Sequence, residues 1–152
     1  MTTDISTYRL NHTMYRIKDS KASLKFYTEV IGMQLLEEHH FAEAGFSVYF
    51  LGFNDPALKD IPRMARQGII ELMHTHGTED KELFAYNTGN GETGGYGHVA
   101  ITVDRLQAAC DRFESLGVQF VKRPEDGPIK SIAFIADPDG YHIEVSENPM
   151  LK

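Results

Sequence analysis

Alternating apolar and polar residues mark out short strands, and two longer stretches repeat their apolar residues at helical spacing. Residues 12–17 read as a strand. Ser20 is a candidate cap, with Ser23 as a second choice, for a helix over 21–30 whose Leu24, Tyr27 and Ile31 share one face. Gly32 is the expected stop. Strands are predicted over 34–38, 47–53 and 68–74. After a polar, glycine-rich stretch the order starts again. A strand over 98–103 leads to Asp104, which can cap a helix reaching Leu116 with Leu106, Ala109, Cys110 and Phe113 on one face. Gly117 ends it, and strands over 119–122, 131–136 and 141–146 follow. Asp137-Pro138-Asp139-Gly140 is a turn between the last two.

The two halves are a weak repeat. Gly32 lies 20 residues after His12, and Gly117 lies 19 after His98. Each half ends in an apolar-Glu-apolar triplet, Ile70-Glu71-Leu72 and Ile143-Glu144-Val145. The repeat predicts an α+β fold built from two tandem βαβββ modules, at about 8–76 and 95–148, within one domain over 1–152. Two segments read as irregular: Asn54 to Arg66, with two prolines and many charges, and the connector from Gly77 to Gly97. A connector of that length is either functional or mobile.

A length of 152 residues suits one domain with a real core. The net charge of −7 argues against sequence-independent nucleic-acid binding, which needs a basic surface. No apolar run approaches the ~20 residues of a membrane span, and the first residues lack the pattern of a signal peptide. A lone cysteine, Cys110, excludes an intramolecular disulfide framework. A cytoplasmic protein is expected.

Strand alternation puts His12, Met14 and Arg16 on one face of the first strand, with Thr13, Tyr15 and Ile17 on the other. Glu71 opposes Ile70 and Leu72, His98 opposes Val99, and Glu144 opposes Ile143 and Val145. An ionised glutamate set beside core-forming residues is costly unless paired or bound to a metal. Taken singly, any of these histidines is more often a packed or surface residue, and either glutamate could line a solvated sheet edge. The recurrence of one His near the start and one Glu near the end of each half shifts the balance. Two imidazoles and two carboxylates suit a divalent ion such as zinc, nickel or iron.

Five stretches resemble glyoxalase I, the lactoylglutathione lyase family of the vicinal oxygen chelate superfamily. They are His12-Thr-Met-Tyr-Arg-Ile-Lys-Asp19, Phe26-Tyr-Thr-Glu-Val-Ile-Gly-Met33, Ile70-Glu-Leu-Met-His-Thr-His-Gly-Thr-Glu-Asp80, Tyr96-Gly-His-Val-Ala-Ile101 and Asp137-Pro-Asp-Gly-Tyr-His-Ile-Glu144. The resemblance implies curved mixed sheets and metal-dependent isomerisation of the methylglyoxal–glutathione hemithioacetal to S-lactoylglutathione. It implies His12, Glu71, His98 and Glu144 as metal ligands. Glu144 is then the main catalytic base and Glu71 the second carboxylate. It also implies a homodimer in which each site takes one His–Glu pair from each subunit. The interval of 27 residues from Glu71 to His98 matches the longer forms of the family, which favours zinc, with nickel or cobalt as alternatives. An iron dioxygenase, a lyase acting on another thiol adduct and a metal-free binding protein are the rival readings within the superfamily.

The thiol-binding positions depart from the resemblance. Arg16 and Lys122 match positions that hold glutathione carboxylates, whereas Thr75, Gly94 and Pro128 replace an Asn, an Arg and a Lys. Arg123 and Lys130 are candidate replacement cations. Among the other histidines, His39 and His40 read as solvent-facing, His74 as packed or exposed, and His142 as a neighbour of Glu144 on the same face. Cys110 reads as a packed helix residue, and Lys21, Lys25 and Glu29 as a solvated helix face.

Overall fold

The computed structural model describes residues 2–151. The chain divides into two compact units with the boundary between Phe84 and Ala85. Each holds a four-stranded mixed sheet, and the two sheets repeat one topology. In the first unit, β1 (His12–Ile17), β2 (Met33–Phe41), β3 (Phe46–Phe53) and β4 (Ile69–Thr75) lie in the order β1-β4-β3-β2. In the second, β5 (His98–Val103), β6 (Phe120–Lys122), β7 (Ile132–Ala136) and β8 (His142–Glu147) lie in the order β5-β8-β7-β6. In each sheet the first strand runs parallel to the last, and the remaining pairs are antiparallel. Two βαβββ modules of α+β class are therefore present.

Helix α1 (Ser20–Lys25) continues without a break into a π-helical turn, Phe26–Val30. Its buried face is Ser23, Phe26 and Tyr27, with Leu24 half-buried, and the Tyr27 ring lies 6.4 Å from that of Tyr15 on β1. Ser20 is not the cap. It is already helical, and the extended Asp19 before it accepts from the amides of Lys21 and Ala22 at 2.8 and 3.3 Å. Gly32 stops the helix with φ +86°. Helix α2 (Leu106–Ser115) buries Leu106, Cys110 and Phe113. Asp104 is not its cap either. The capping position is Arg105, and the amide of Leu106 donates to Glu147 Oε1 of β8 at 3.1 Å. A carboxylate from the sheet thus serves the positive end of the helix.

Burial follows strand parity in β1 and β8 and along most of β4, whereas β3 is buried on both faces. Tyr15, Ile17, Ile70 and Leu72 are buried, and in the second unit Ile101, Ile143 and Val145. Completely enclosing Ile17, Leu51, Leu72 and Ile135 contributes about 1.5–3 kcal/mol each. β2 extends beyond the expected strand, which ended at Glu38, through His39, His40 and Phe41, with a register irregularity between Leu35 and Glu37. It is an edge strand, and polar side chains suit that position.

The irregular segments are ordered. Within 54–66, short 3-10 turns at Pro56–Leu58 and Arg63–Ala65 are fixed by the Arg66 guanidinium, which donates to the carbonyls of Ile61 and Leu58. The stretch over 77–97 is divided between the units. Its first part is anchored by the buried Thr78, whose hydroxyl donates to the carbonyls of Lys18 and Thr75. Its second part folds on itself, with Asn90 Nδ2 donating to the Gly97 carbonyl at 2.7 Å. Gly89, at φ +85°, is pressed so closely on Tyr96 that a Cβ there would lie 2.1 Å from the Tyr96 carbonyl oxygen.

Candidate metal centre

In the first unit, β1 and β4 bring His12 and Glu71 together. The ladder pairs His12 with Ile69 and Met14 with Glu71, so the two side chains meet diagonally across an offset of two residues on the same face. His12 Nε2 lies 2.9 Å from Glu71 Oε2. In the second unit the ladder pairs His98 with His142 and Ala100 with Glu144, the same offset, and His98 Nε2 lies 3.2 Å from Glu144 Oε2. The duplicated sequence positions are duplicated in space.

Each pair also has an aromatic floor that was not singled out from the sequence. Phe50 on β3 is the register partner of Glu71, and its ring meets His12 edge-on at 5.7 Å. Phe134 on β7 is the register partner of Glu144 and meets His98 edge-on at 5.1 Å. The signal was present as a phenylalanine in the third strand of each module. It looked like ordinary core until the pairing set it opposite a carboxylate.

The carboxylates sit in largely apolar surroundings. Val48, Phe50 and Ile69 form a buried cluster with Leu36, Phe46 and Met73 packed against it, so Ile69, Glu71 and Met73 of one strand face share an apolar patch. The Glu71 side chain is 17% exposed and that of Glu144 is 24%. They are neither sealed off nor freely solvated, which suits groups that must meet a ligand. Arg63 lies over the Phe50 ring, its guanidinium carbon 3.7 Å from the ring centre. Its Nε donates to Glu37 at 2.9 Å and holds that carboxyl below the usual carboxylate range.

The donor chemistry fits a divalent ion. Imidazole nitrogen and carboxylate oxygen are both ligands for zinc and its neighbours. Around an ion held at about 2.0–2.2 Å, adjacent ligand atoms stand roughly 2.9–3.4 Å apart, and the observed 2.9 and 3.2 Å fall in that range. Each unit by itself supplies two donors, and among the described residues no cluster of three or more His, Cys, Asp or Glu forms a metal site.

The residues singled out for the thiol are placed as follows. Arg16 is exposed on β1, on the face of His12, with Nη1 3.4 Å from Met73 Sδ. Thr75 closes β4, and its carbonyl accepts from both the amide and the hydroxyl of Thr78. Lys122 is engaged with the backbone: its ammonium donates to the carbonyls of Arg123, Ile129 and Ile132 at 3.1, 2.7 and 3.0 Å. Of the candidate replacement cations, Arg123 is held by Glu114 at 2.6 Å and stacks over Phe120, and Lys130 donates to the Glu125 carbonyl.

The remaining histidines divide. His39 and His40 are exposed on β2, yet His40 Nδ1 also lies 2.9 Å from Ser47 Oγ, which lies 2.9 Å from His76 Nε2. His74 is packed, and its Nε2 meets Glu79 at 2.8 Å. His142 lies beside His98 in register, with its ring 6.4 Å from that of Phe134. Cys110 is buried in α2, and burial raises its thiol above the usual range. It is a poor nucleophile there.

Residues 9–145 match the Glyoxalase/Bleomycin resistance protein/Dioxygenase superfamily, and with that match and the paired βαβββ modules the chain belongs to it. It is 47% identical to a lactoylglutathione lyase of Pseudomonas putida over 89% of this chain and 82% of that protein. It is 50% identical to a lactoylglutathione lyase of Schizosaccharomyces pombe over 95% of this chain, which spans only 49% of that longer protein. Among solved structures, the trypanothione-dependent glyoxalase I of Leishmania major superposes with a TM-score of 0.74 at 29% identity, covering 95% of this chain and 90% of that one. Within the superfamily the chain is a member of the lactoylglutathione lyase, or glyoxalase I, family.

Proposed function

We propose that this chain isomerises the hemithioacetal of methylglyoxal and glutathione to S-lactoylglutathione. The observation that carries the proposal is the repeated His–Glu pair, His12 with Glu71 and His98 with Glu144, built at the same register offset in both modules. In this reading the four side chains jointly hold one divalent ion, zinc by preference and nickel or cobalt as alternatives. The ion is completed in a homodimer, one pair coming from each subunit. The ion, when bound, supplies Lewis-acid stabilisation of the negative charge that builds on the substrate oxygens as a carbon-bound proton leaves.

The protein's own groups do the proton work. Glu144 takes the proton from the carbon that carries the sulfur, and the proton returns to the neighbouring carbonyl carbon. The carbon–sulfur bond is kept, the secondary alcohol becomes the thioester carbonyl, and the ketone becomes the alcohol. No external oxidant or reductant is required. Glu71 is the second carboxylate, which we assign to the return of the proton. Phe50 and Phe134 brace the two imidazoles and keep the floor of each pair apolar, which strengthens the electrostatic interactions above it.

Arg16 supplies a cation for a carboxylate of the thiol, with Lys122 and Thr75 as the other groups we assign to that end of the substrate. The structural likeness to a trypanothione-dependent enzyme, together with the altered positions Thr75, Gly94 and Pro128, makes the thiol the point to test. Zinc-loaded protein is assayed with methylglyoxal and, in turn, glutathione, trypanothione and a thiol without carboxylates. Thioester formation with glutathione well above that with the third thiol is the expected result. Thioester formation with trypanothione alone would move the substrate and keep the chemistry. No thioester with any of them would overturn the proposal. We place the activity in the cytoplasm, a reading supported by the lone cysteine; among the described residues no helix is long and apolar enough to cross a membrane.

A further inference from the structure

The two half-sites match in their His–Glu pairs but differ at the other nitrogen of each ring. His12 Nδ1 lies 2.7 Å from Oδ1 of Asn11, the residue immediately before it. The amide of Asn11 is itself oriented by the protein. Its Nδ2 donates to two backbone carbonyls of the 3-10 segment at Arg63–Ala65 and its end, Arg63 at 3.0 Å and Arg66 at 2.8 Å. Carbonyl oxygens only accept, so that end of the amide must be the NH2, and the end facing His12 must be the oxygen. An oxygen at 2.7 Å from a ring nitrogen requires that nitrogen to carry a proton. Glu71 Oε2, 2.9 Å from Nε2, likewise draws a proton to Nε2 when no ion stands between them, and it is this second proton that an ion replaces. Position 97, the counterpart of Asn11 before His98, is glycine, so the second module has no side chain at that place.

We propose that Asn11 is a positioning residue that keeps a proton on Nδ1 of His12, so that Nε2, on the Glu71 side, is the ring nitrogen left to coordinate. The inference rests on the reading of His12 as a metal ligand. A ligand imidazole whose second nitrogen donates to a fixed acceptor has its tautomer and ring orientation set in advance. Asn11 also links the site to the irregular segment over 54–66: the carbonyls that orient Asn11 come from Arg63 and Arg66, and the Arg63 guanidinium lies over Phe50, the ring under His12. One segment thus sets both the ring-nitrogen partner and the aromatic floor of the first half-site.

The test reads the tautomer without metal and the affinity with it. Long-range proton–nitrogen correlation of the histidine rings is recorded on the metal-free full chain at about pH 8, above the ordinary histidine range, with His12 assigned from its loss in His12→Ala. The wild type is expected to show a proton on Nδ1 of His12, as the Nδ1–H pattern or, with Glu71 drawing a second proton to Nε2, as the doubly protonated ring. Asn11→Ala is expected to change that pattern toward Nε2–H and to weaken Zn2+ binding, measured by competition with a chromophoric chelator, by about 10- to 100-fold. Asn11→Asp keeps an acceptor for Nδ1 but loses both donors to the Arg63 and Arg66 carbonyls. It is expected to keep the tautomer and to stay within about threefold of wild-type affinity despite a lower Tm. An Nε2–H pattern at His12 in the wild type would overturn the proposal, and so would equal losses of affinity in both variants with an unchanged ring pattern. If the wild type shows the Nδ1–H pattern but takes up no Zn2+, the metal reading fails while the tautomer assignment stands.

Discussion

His12 and Glu71 meet diagonally across two parallel strands, with Nε2 and Oε2 2.9 Å apart although the ladder pairs each with a different residue. The offset leaves the two donor atoms at a separation that two ligands of one ion can adopt. The same offset between His98 and Glu144 makes it a property of the module. Side chains placed at equal depth in two copies of one supersecondary unit are the natural material for a four-ligand site.

Glu144→Gln keeps the shape of the side chain and one oxygen ligand but removes the base. Turnover should fall by at least about a hundredfold, the range for loss of a positioned base, while much of the metal is retained. Steady-state assay alongside metal analysis checks this. Turnover near wild type would place the base elsewhere.

Subunit mixing tests the shared site. His12→Ala chains and Glu144→Gln chains should each be nearly inactive alone. In a hybrid dimer one site would combine an unaltered first module with an unaltered second module. Activity is therefore expected to return after subunit exchange, and its absence from a mixture shown to contain hybrids would argue for sites built within one chain.

Arg16 and Lys122 should separate by their effect on stability. Arg16 is exposed, with Nη1 3.4 Å from the Met73 sulfur, so Arg16→Ala should raise KM for the glutathione adduct and leave the folding free energy nearly unchanged. Lys122 satisfies three backbone carbonyls. Lys122→Met should lower stability by about 1–3 kcal/mol through those lost partners, read by urea denaturation, as well as raising KM. Equal stability of the two variants would contradict this division.

Gly89→Ala should be the most damaging change in the segment leading to β5. The backbone there has φ +85°, and a new Cβ would collide with the Tyr96 backbone. A loss of about 2 kcal/mol or more is expected. Gly91→Ala, where a Cβ meets nothing within 4 Å, is the control and should be close to neutral.

Much of this was legible in the sequence because the module repeats. The spacing of His12 and Glu71 gained meaning from His98 and Glu144, and period-two alternation assigned their faces correctly. The helix caps were misread because caps are made by whichever carboxylate reaches the free amides. At α1 that was Asp19, one residue earlier than Ser20, and at α2 it was Glu147, 41 residues away along the chain. The full length of β2 was hidden because an edge strand tolerates polar residues such as His39 and His40. Asn11 was invisible as a partner of His12, since its orientation depends on carbonyls of residues 63 and 66, which only folding brings near. The charge of Lys122 was read correctly, but the loop that curls back to its ammonium could not be seen from residue types.

The central claim, that both modules contribute to one ion, is tested most directly by metal content. Wild-type protein, His12→Ala and His98→Ala are each loaded with Zn2+, freed of excess ion and analysed for zinc per chain. One ion per chain is expected for the wild type, and a marked loss of comparable size is expected in both variants, because each removes one ligand of the same four. Full zinc occupancy in either variant, or two ions per wild-type chain, would contradict the shared site.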